Sequence, residues 1–567
     1  MLLPTLFILV VATIIAIAFR KLYPKPYPGI PYNEASANRA TGDIPDLVPI
    51  IQETKEYSHS IFAVTTQKLG TPIAQLLFPA IRRPLIVLED PREIEDILVR
   101  RNKEFDKAPA ALDILSPMFP KGSISQYTTP ELRFQKRVWA DVMSVEFLCK
   151  AAAPNIHKAT LELLDLWRLK ATSIHKDRPF NVLENLKNAA LDAIWVAMTG
   201  DEPGVTRHEI KKLKRQLGHQ HSDLDEKTLP RGAFIKEEVN YISQTIARNS
   251  NSPMPKWAQK LETYTPRYRR FRATVTTEIS RAMKKAVDRF QRLETKSLEL
   301  GDADTCMMDL VLRRQIVEAK RAGKQPSDPV KDQSMLDEMF VMLVGGHDST
   351  ANTLAWFVRF MEAYPTVQSH LRSVLRDAFP DPDPPAVDGI LGTDLPYLDA
   401  VCEESMRLAG TAKGNLRQAV VDIEILGYHV PKGAEIFMNY HINRPPVSVD
   451  EAQHSKSSQS ANAKRGDGFQ GRAGTNLHRF DPERWLVKDE DAGTDRFNAY
   501  TLPQLAFGGG YRGCSGRKLA TMEFRIIVVL LIMKLKFLAL PDEFRSTRAI
   551  ERIFREPEMP YAKLQVL

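Results

Sequence analysis

Phe507-Gly508-Gly509-Gly510-Tyr511-Arg512-Gly513-Cys514-Ser515-Gly516, followed by an apolar helical run from Leu519 to about Leu535, is the stretch on which the fold turns. A cysteine flanked by glycines can sit where backbone N–H groups point at its sulfur. Those donors, with the positive end of the following helix, favour a thiolate and so a metal ligand. Arg512 sets a cation beside the same site, suited to an anionic group. Gly508, Gly510 and Gly513 satisfy the spacing of a dinucleotide loop. Such a loop needs an apolar strand before it and an acid about 20 residues after it. Leu502-Pro503-Gln504-Leu505-Ala506 makes a poor central strand, and no acid stands near Met533. A P-loop fails because Arg517, not Lys-Ser/Thr, follows Gly516. A buried structural cysteine explains neither the glycines nor Arg512.

One thiolate with one arginine suits haem, and the stretch closely resembles the haem-ligand signature of the cytochrome P450 family of haem-thiolate monooxygenases, Phe-x-x-Gly-x-Arg-x-Cys-x-Gly. The resemblance implies Cys514 as axial ligand of haem b, Arg512 as a propionate partner and Phe507 as the ring packed on the ligand loop. It also implies a mainly α fold with a small β region.

Working outward, Met335 to Tyr364 reads as a long apolar helix ending at Pro365 and containing Gly345-Gly346-His347-Asp348-Ser349-Thr350. Each glycine inside a helix costs about 1 kcal/mol against alanine, so the pair suggests close approach of a ligand or a local opening. The stretch resembles the family's oxygen-activation motif, which implies Asp348 and a hydroxyl as proton relays. Ser349 stands where the family usually has threonine, and Thr350 follows it, so either hydroxyl can serve. Glu404 and Arg407 are spaced to share a helix face and resemble the family's Glu-x-x-Arg helix. Phe480-Asp481-Pro482-Glu483-Arg484-Trp485 resembles the segment whose arginine joins that pair, which implies a structural network of Glu404, Arg407 and Arg484. Arg417 is a second propionate partner by the same resemblance. In the region Leu132 to Trp139, Lys136 or Arg137 stands in for the family's haem-contacting arginine. The usual proline after the Glu-x-x-Arg helix is replaced by Ala409-Gly410-Thr411-Ala412.

The chain has 567 residues, 43% hydrophobic and 26% charged, with a net charge of +8. It can bury a large core, and its modest charge argues against nucleic acid as a partner. Four cysteines without a CxxC pair exclude a disulfide scaffold and a thiolate zinc cluster. Leu2 to Phe19 are uncharged and as a helix reach about 27 Å. Arg20 and Lys21 follow, which places the remainder in the cytosol. The expected organisation is an anchor helix over 1–21, a proline-rich linker over 22–35, and a catalytic domain over 36–567 with a disordered insertion at about 448–474. The basic, polar region 205–272 reads as a solvated or lipid-facing helix surface, and His219 and His221 as surface histidines.

The resemblance then implies a single-pass protein of the endoplasmic reticulum membrane. It would oxidise a small lipophilic substrate with O2 and electrons from NADPH, delivered by NADPH-cytochrome P450 reductase, in the style of fungal secondary metabolism. An isomerase or peroxide-using enzyme on the same site, and a non-catalytic haem protein, are the alternative readings.

Overall fold

The computed structural model describes residues 23–567 except 81, 219–230, 295–304, 324, 326–327, 466–473 and 490–492. The expected anchor and the two histidines His219 and His221 lie outside the described residues. Among the described residues no helix is long and apolar enough to cross a membrane. The proline-rich segment turns at Pro28-Gly29, runs into a short helix at Glu34–Ala37, and from Tyr27 onward lies on the body. Buried Gln75 receives the Tyr27 N–H at 2.8 Å and donates to the carbonyl of Ile30 at 2.8 Å.

A five-stranded sheet takes β1 Ile73–Leu76, β2 Leu85–Leu88, β3 Phe105–Lys107, β4 Gly414–Ala419 and β5 Glu435–Asn439 in the order β1-β2-β5-β4-β3. Only β2 and β5 run parallel, with Val87 opposite Phe437. The continuous Leu-Ile-Val-Leu run of β2 is buried on both faces.

Helices dominate the rest. Those that position the site are α1 Pro91–Val99, α2 Pro130–Val138, α3 Ala153–Thr172, α4 Leu183–Thr199, α5 Gln333–Ala363, α6 Pro396–Ala409, α7 Lys456–Ala463 and α8 Arg517–Lys534. Their boundaries follow from local chemistry. The Asp90 carboxylate accepts the Glu93 N–H at 2.7 Å and Pro91 opens the first turn of α1. Asp332 caps α5 through the Ser334 N–H at 2.9 Å, and Pro365 excludes a helical residue before it, so α5 stops at Ala363. Gly410 ends α6 at φ +53°, and a Cβ there would lie 2.5 Å from the His441 ring. That crowding accounts for the glycine at 410, and the turn delivers the Thr411 hydroxyl to within 2.8 Å of Thr353 on α5.

The main core joins α3, α4, α5 and α8 through residues such as Trp167, Trp195, Phe357 and Leu530, each with 1% or less of its surface exposed. Burial of a large apolar side chain of this kind contributes about 1.5–3 kcal/mol. Contrary to the expected local opening, α5 is helical through its glycine pair. The cause is packing, since a Cβ on Gly346 would stand 3.0 Å from Ile194 of α4.

Two surface expectations change. In the 205–272 region Tyr268 and Phe271 belong to the core, and Arg267 and Arg272 pair with Glu238 at 2.6 Å and Asp337 at 3.3 Å. These basic residues therefore frame a half-buried helix face. Within the span expected to be a disordered insertion, residues 456–463 form α7, capped by the Ser455 hydroxyl, which accepts the Ser458 N–H at 3.1 Å. Polar side chains there find partners on α1, which a composition-based reading does not see. Residues 466–473 lie outside the described residues.

Candidate active site

The cysteine loop closes on itself. The Cys514 N–H donates to the Phe507 carbonyl at 2.9 Å and the Gly513 N–H to that of Gly510 at 3.0 Å. Gly510 has φ +61°, and a Cβ there would collide with the Leu98 carbonyl of α1, so only glycine lets the loop press on that helix. The next helix, α8, starts at Arg517, and the Arg517 guanidinium lies 5.7 Å from the Phe507 ring centroid. Burial pushes the Cys514 thiol up, while the Gly516 N–H and the Arg517 charge pull it down, and burial wins. The expected stabilising donor, the Gly516 N–H, is therefore present. A coordinated metal cation deprotonates its thiol outright, and Cys514 is accessible for that purpose.

Beside the loop lies a cluster of cations. Lys107 on β3 and Arg417 on β4 are direct cross-strand partners, an arrangement in which like charges repel. Lys107 has 8% of its surface exposed and Arg417 has 4%. Burial, then Arg417, Arg512 and Lys136, push the Lys107 ammonium down to about 7. Lys136 donates to the Tyr511 carbonyl and lies 4.3 Å from the Tyr511 ring centroid, whereas Arg137 is exposed and stacks on Phe134 of its own helix. The geometry thus brings Lys136, and not Arg137, to the loop. Arg512 pairs with Asp106 at 3.2 Å and donates to the Thr128 hydroxyl at 3.0 Å. Four cations meet here with Asp106 as the only carboxylate in ion-pair contact with any of them among the described residues. A dianionic group such as the two propionates of haem b fits that charge.

On α5, Gly345 borders open space, with no atom within 4 Å of where its Cβ would be. Ser349, one turn on, is on the same side and donates to the Gly345 carbonyl at 2.6 Å. Asp348 is buried on another side, where Lys187 of α4 pairs with it at 3.2 Å and reaches Glu556 at 3.8 Å. Thr350 turns away from the open face, its hydroxyl 3.4 Å from Glu523 of α8. Burial raises the Glu523 carboxyl to about 8, and its second oxygen has no hydrogen-bond partner. Glu523 stands six residues into α8, so this contact fixes α5 about 9 Å along the helix from the end of the cysteine loop.

Behind the loop, Glu404, Arg407 and Arg484 meet with their side chains 1% exposed or less. Arg407 is bidentate on Glu404 at 2.7 Å in both bonds, Arg484 donates at 3.0 Å and the Trp485 indole at 2.9 Å. Burial alone would raise the Glu404 carboxyl, but Arg407 and Arg484 hold it below its usual range. Lys107, Asp106, Lys187 and Glu523 carried no sequence signal, since each is defined by a partner at least 80 residues away or by burial.

The family profile described as Cytochrome P450 matches residues 45–444 and 476–560. Cytochrome P450 monooxygenase TRI13 of Fusarium sporotrichioides is 30% identical over 95% of this chain and 95% of its own. Cytochrome P450 monooxygenase xilC of Penicillium rubens is 30% identical over 94% of this chain and 91% of its own. A crystal structure of a cytochrome P450, CYP102L1, superposes with a TM-score of 0.65 at 17% identity, covering 96% of this chain and all of that one. The chain belongs to the cytochrome P450 family. It is a monooxygenase, an oxidoreductase that incorporates oxygen, with a mainly helical haem-thiolate fold.

Proposed function

We propose that this monooxygenase oxidises a small lipophilic substrate with O2, drawing NADPH electrons through NADPH-cytochrome P450 reductase, in a fungal secondary-metabolite pathway. The fungal relatives support the setting. The apolar run Leu2 to Phe19 followed by Arg20 and Lys21 supports a single-pass anchor in the endoplasmic reticulum membrane with the body in the cytosol.

Haem b, when bound, supplies the redox-active iron, and thiolate ligation favours O–O cleavage. Cys514 would ligate its iron, Lys107, Lys136, Arg417 and Arg512 would neutralise its propionates, and Phe507 would back the ligand loop. Ser349 offers a hydroxyl on the open face of α5, and Gly345 leaves room beside it. Asp348 would supply the acid of the relay, and because it pairs with Lys187 at 3.2 Å on another side of α5, its link to the Ser349 hydroxyl would run through water. Thr350 is engaged by Glu523 and serves as a packing hydroxyl. The single observation that carries the reading is the set of four cations, two of them cross-strand partners, beside an accessible cysteine.

The reduced carbon monoxide difference spectrum tests it. A strongly red-shifted Soret band that disappears in Cys514→Ala is expected, and a band unaffected by that change refutes the ligand assignment. Turnover that needs NADPH and reductase separates the monooxygenase from a peroxide-driven or isomerase reading.

A further inference from the structure

Residues 445–475 fall between the two stretches matched by the family profile, yet the described part of this insertion is fastened to α1 at nearly every polar side chain that helix offers. Asp96 accepts the hydroxyls of Ser455 at 2.6 Å and Ser457 at 2.7 Å. The Ser455 N–H reaches Glu93 at 3.4 Å. Arg465, with its side chain 9% exposed, pairs with Glu95. Glu451 is bidentate on Arg92 at 2.6 and 2.8 Å. Arg465 also donates to the Tyr500 carbonyl at 3.1 Å, just ahead of the cysteine loop. The other face of α1 is that loop's support. A Cβ on Gly509 would stand 2.9 Å from Val99 and 3.2 Å from Leu98, and one on Gly510 would strike the Leu98 carbonyl.

The insertion, α1 and the glycines before Cys514 therefore form three layers in contact. We propose that the insertion is a polar clamp that holds α1 on Gly509 and Gly510, so that residues absent from the family profile stabilise the ligating position of Cys514. This rests on the reading of Cys514 as the haem ligand. Glu93, Glu95 and Asp96 crowd one short helix that Asp90 caps. Arg100 and Arg101 offset part of that charge by pairing with Asp96, Glu95 and Glu93; Arg465 and the serine hydroxyls supply the remaining partners, and their loss loosens the seat of α1 on the loop.

The test is the lifetime of the red-shifted carbon monoxide band in full-chain holoenzyme. Ser457→Ala/Arg465→Ala is expected to shorten it about tenfold, the factor carried by about 1.4 kcal/mol, while the helical melting profile is unchanged. Arg465→Lys keeps the charge and restores most of the lifetime. Arg248→Ala, which breaks an ion pair with Glu262 elsewhere on the body, leaves it unaltered. A wild-type lifetime in the double variant overturns the clamp, as does an equal shortening in Arg248→Ala. Should the double variant fail to fold, Arg465→Gln is read in the same way, with several-fold shortening expected and a wild-type lifetime refuting. A red-shifted band that survives in Cys514→Ala refutes the ligand reading itself, whatever the clamp variants do.

Discussion

Replacing Lys107 by methionine should move the haem-free and haem-loaded protein in opposite directions. The ammonium falls from an ordinary 10.5 to about 7 because it is buried and faces Arg417, Arg512 and Lys136. At about 1.4 kcal/mol per pH unit, holding that charge in the haem-free fold costs about 5 kcal/mol. Methionine fills similar space but orphans the Ile124 carbonyl that Lys107 contacts, which returns about 1–3 kcal/mol. A net gain of about 2–4 kcal/mol is therefore expected in urea unfolding of the haem-free chain at pH 6.5.

The sign with pH follows from proton counting. Between about pH 7 and 10.5 the unfolded chain holds the Lys107 proton and the folded chain does not. The Lys107 contribution to stability thus rises across that window and is at its lowest below it. The advantage of the variant is largest near neutrality and fades toward pH 10. On the proposed reading the propionates of the loaded protein would neutralise the cluster, so methionine would remove a favourable partner. Transfer of haem to apomyoglobin should then be faster than from wild type. A haem-free variant no more stable than wild type, or a gain that does not change with pH, refutes the argument from buried like charges.

Three further outcomes are expected. In Glu523→Gln the carboxyl raised to about 8 is lost. The native chain holds its proton from about pH 4.5 to 8, so its stability falls with rising pH there. The variant should lack that fall and be more stable near pH 9 by up to about 5 kcal/mol in thermal melts. Glu404→Ala leaves Arg407 and Arg484 buried without their carboxylate and should cost about 3–5 kcal/mol, read as lost soluble yield and a lowered melting point. Lys136→Ala should speed haem loss roughly tenfold, as befits a charged contact worth about 1.5 kcal/mol or more, and Arg137→Ala should leave it unchanged, by the same transfer assay.

What the sequence determined by itself is the part encoded by contiguous residues. The cysteine loop is legible because a left-handed turn under α1 admits only glycine at Gly510, and because α8 must begin where the loop ends. The extent of α5 is legible within two residues because a cap and a proline bound it locally. The Glu404–Arg407 pair is legible because helical spacing sets both on one face. The tertiary structure alone decided which of two neighbouring residues meets the site. Lys136 and Arg137, or Ser349 and Thr350, differ by a rotation of about 100° on a helix, and only packing against Tyr511 and Glu523 says which side is which. Lys107 reads as an ordinary surface lysine until β4 sets Arg417 opposite it, about 310 residues along the chain, and burial removes the water that would screen the pair. Composition likewise cannot tell a disordered polar insertion from one whose serines and arginine are satisfied by carboxylates more than 350 residues earlier. Such pairings belong to the folded chain, where a polar group is settled by its partner and not by its neighbours in sequence.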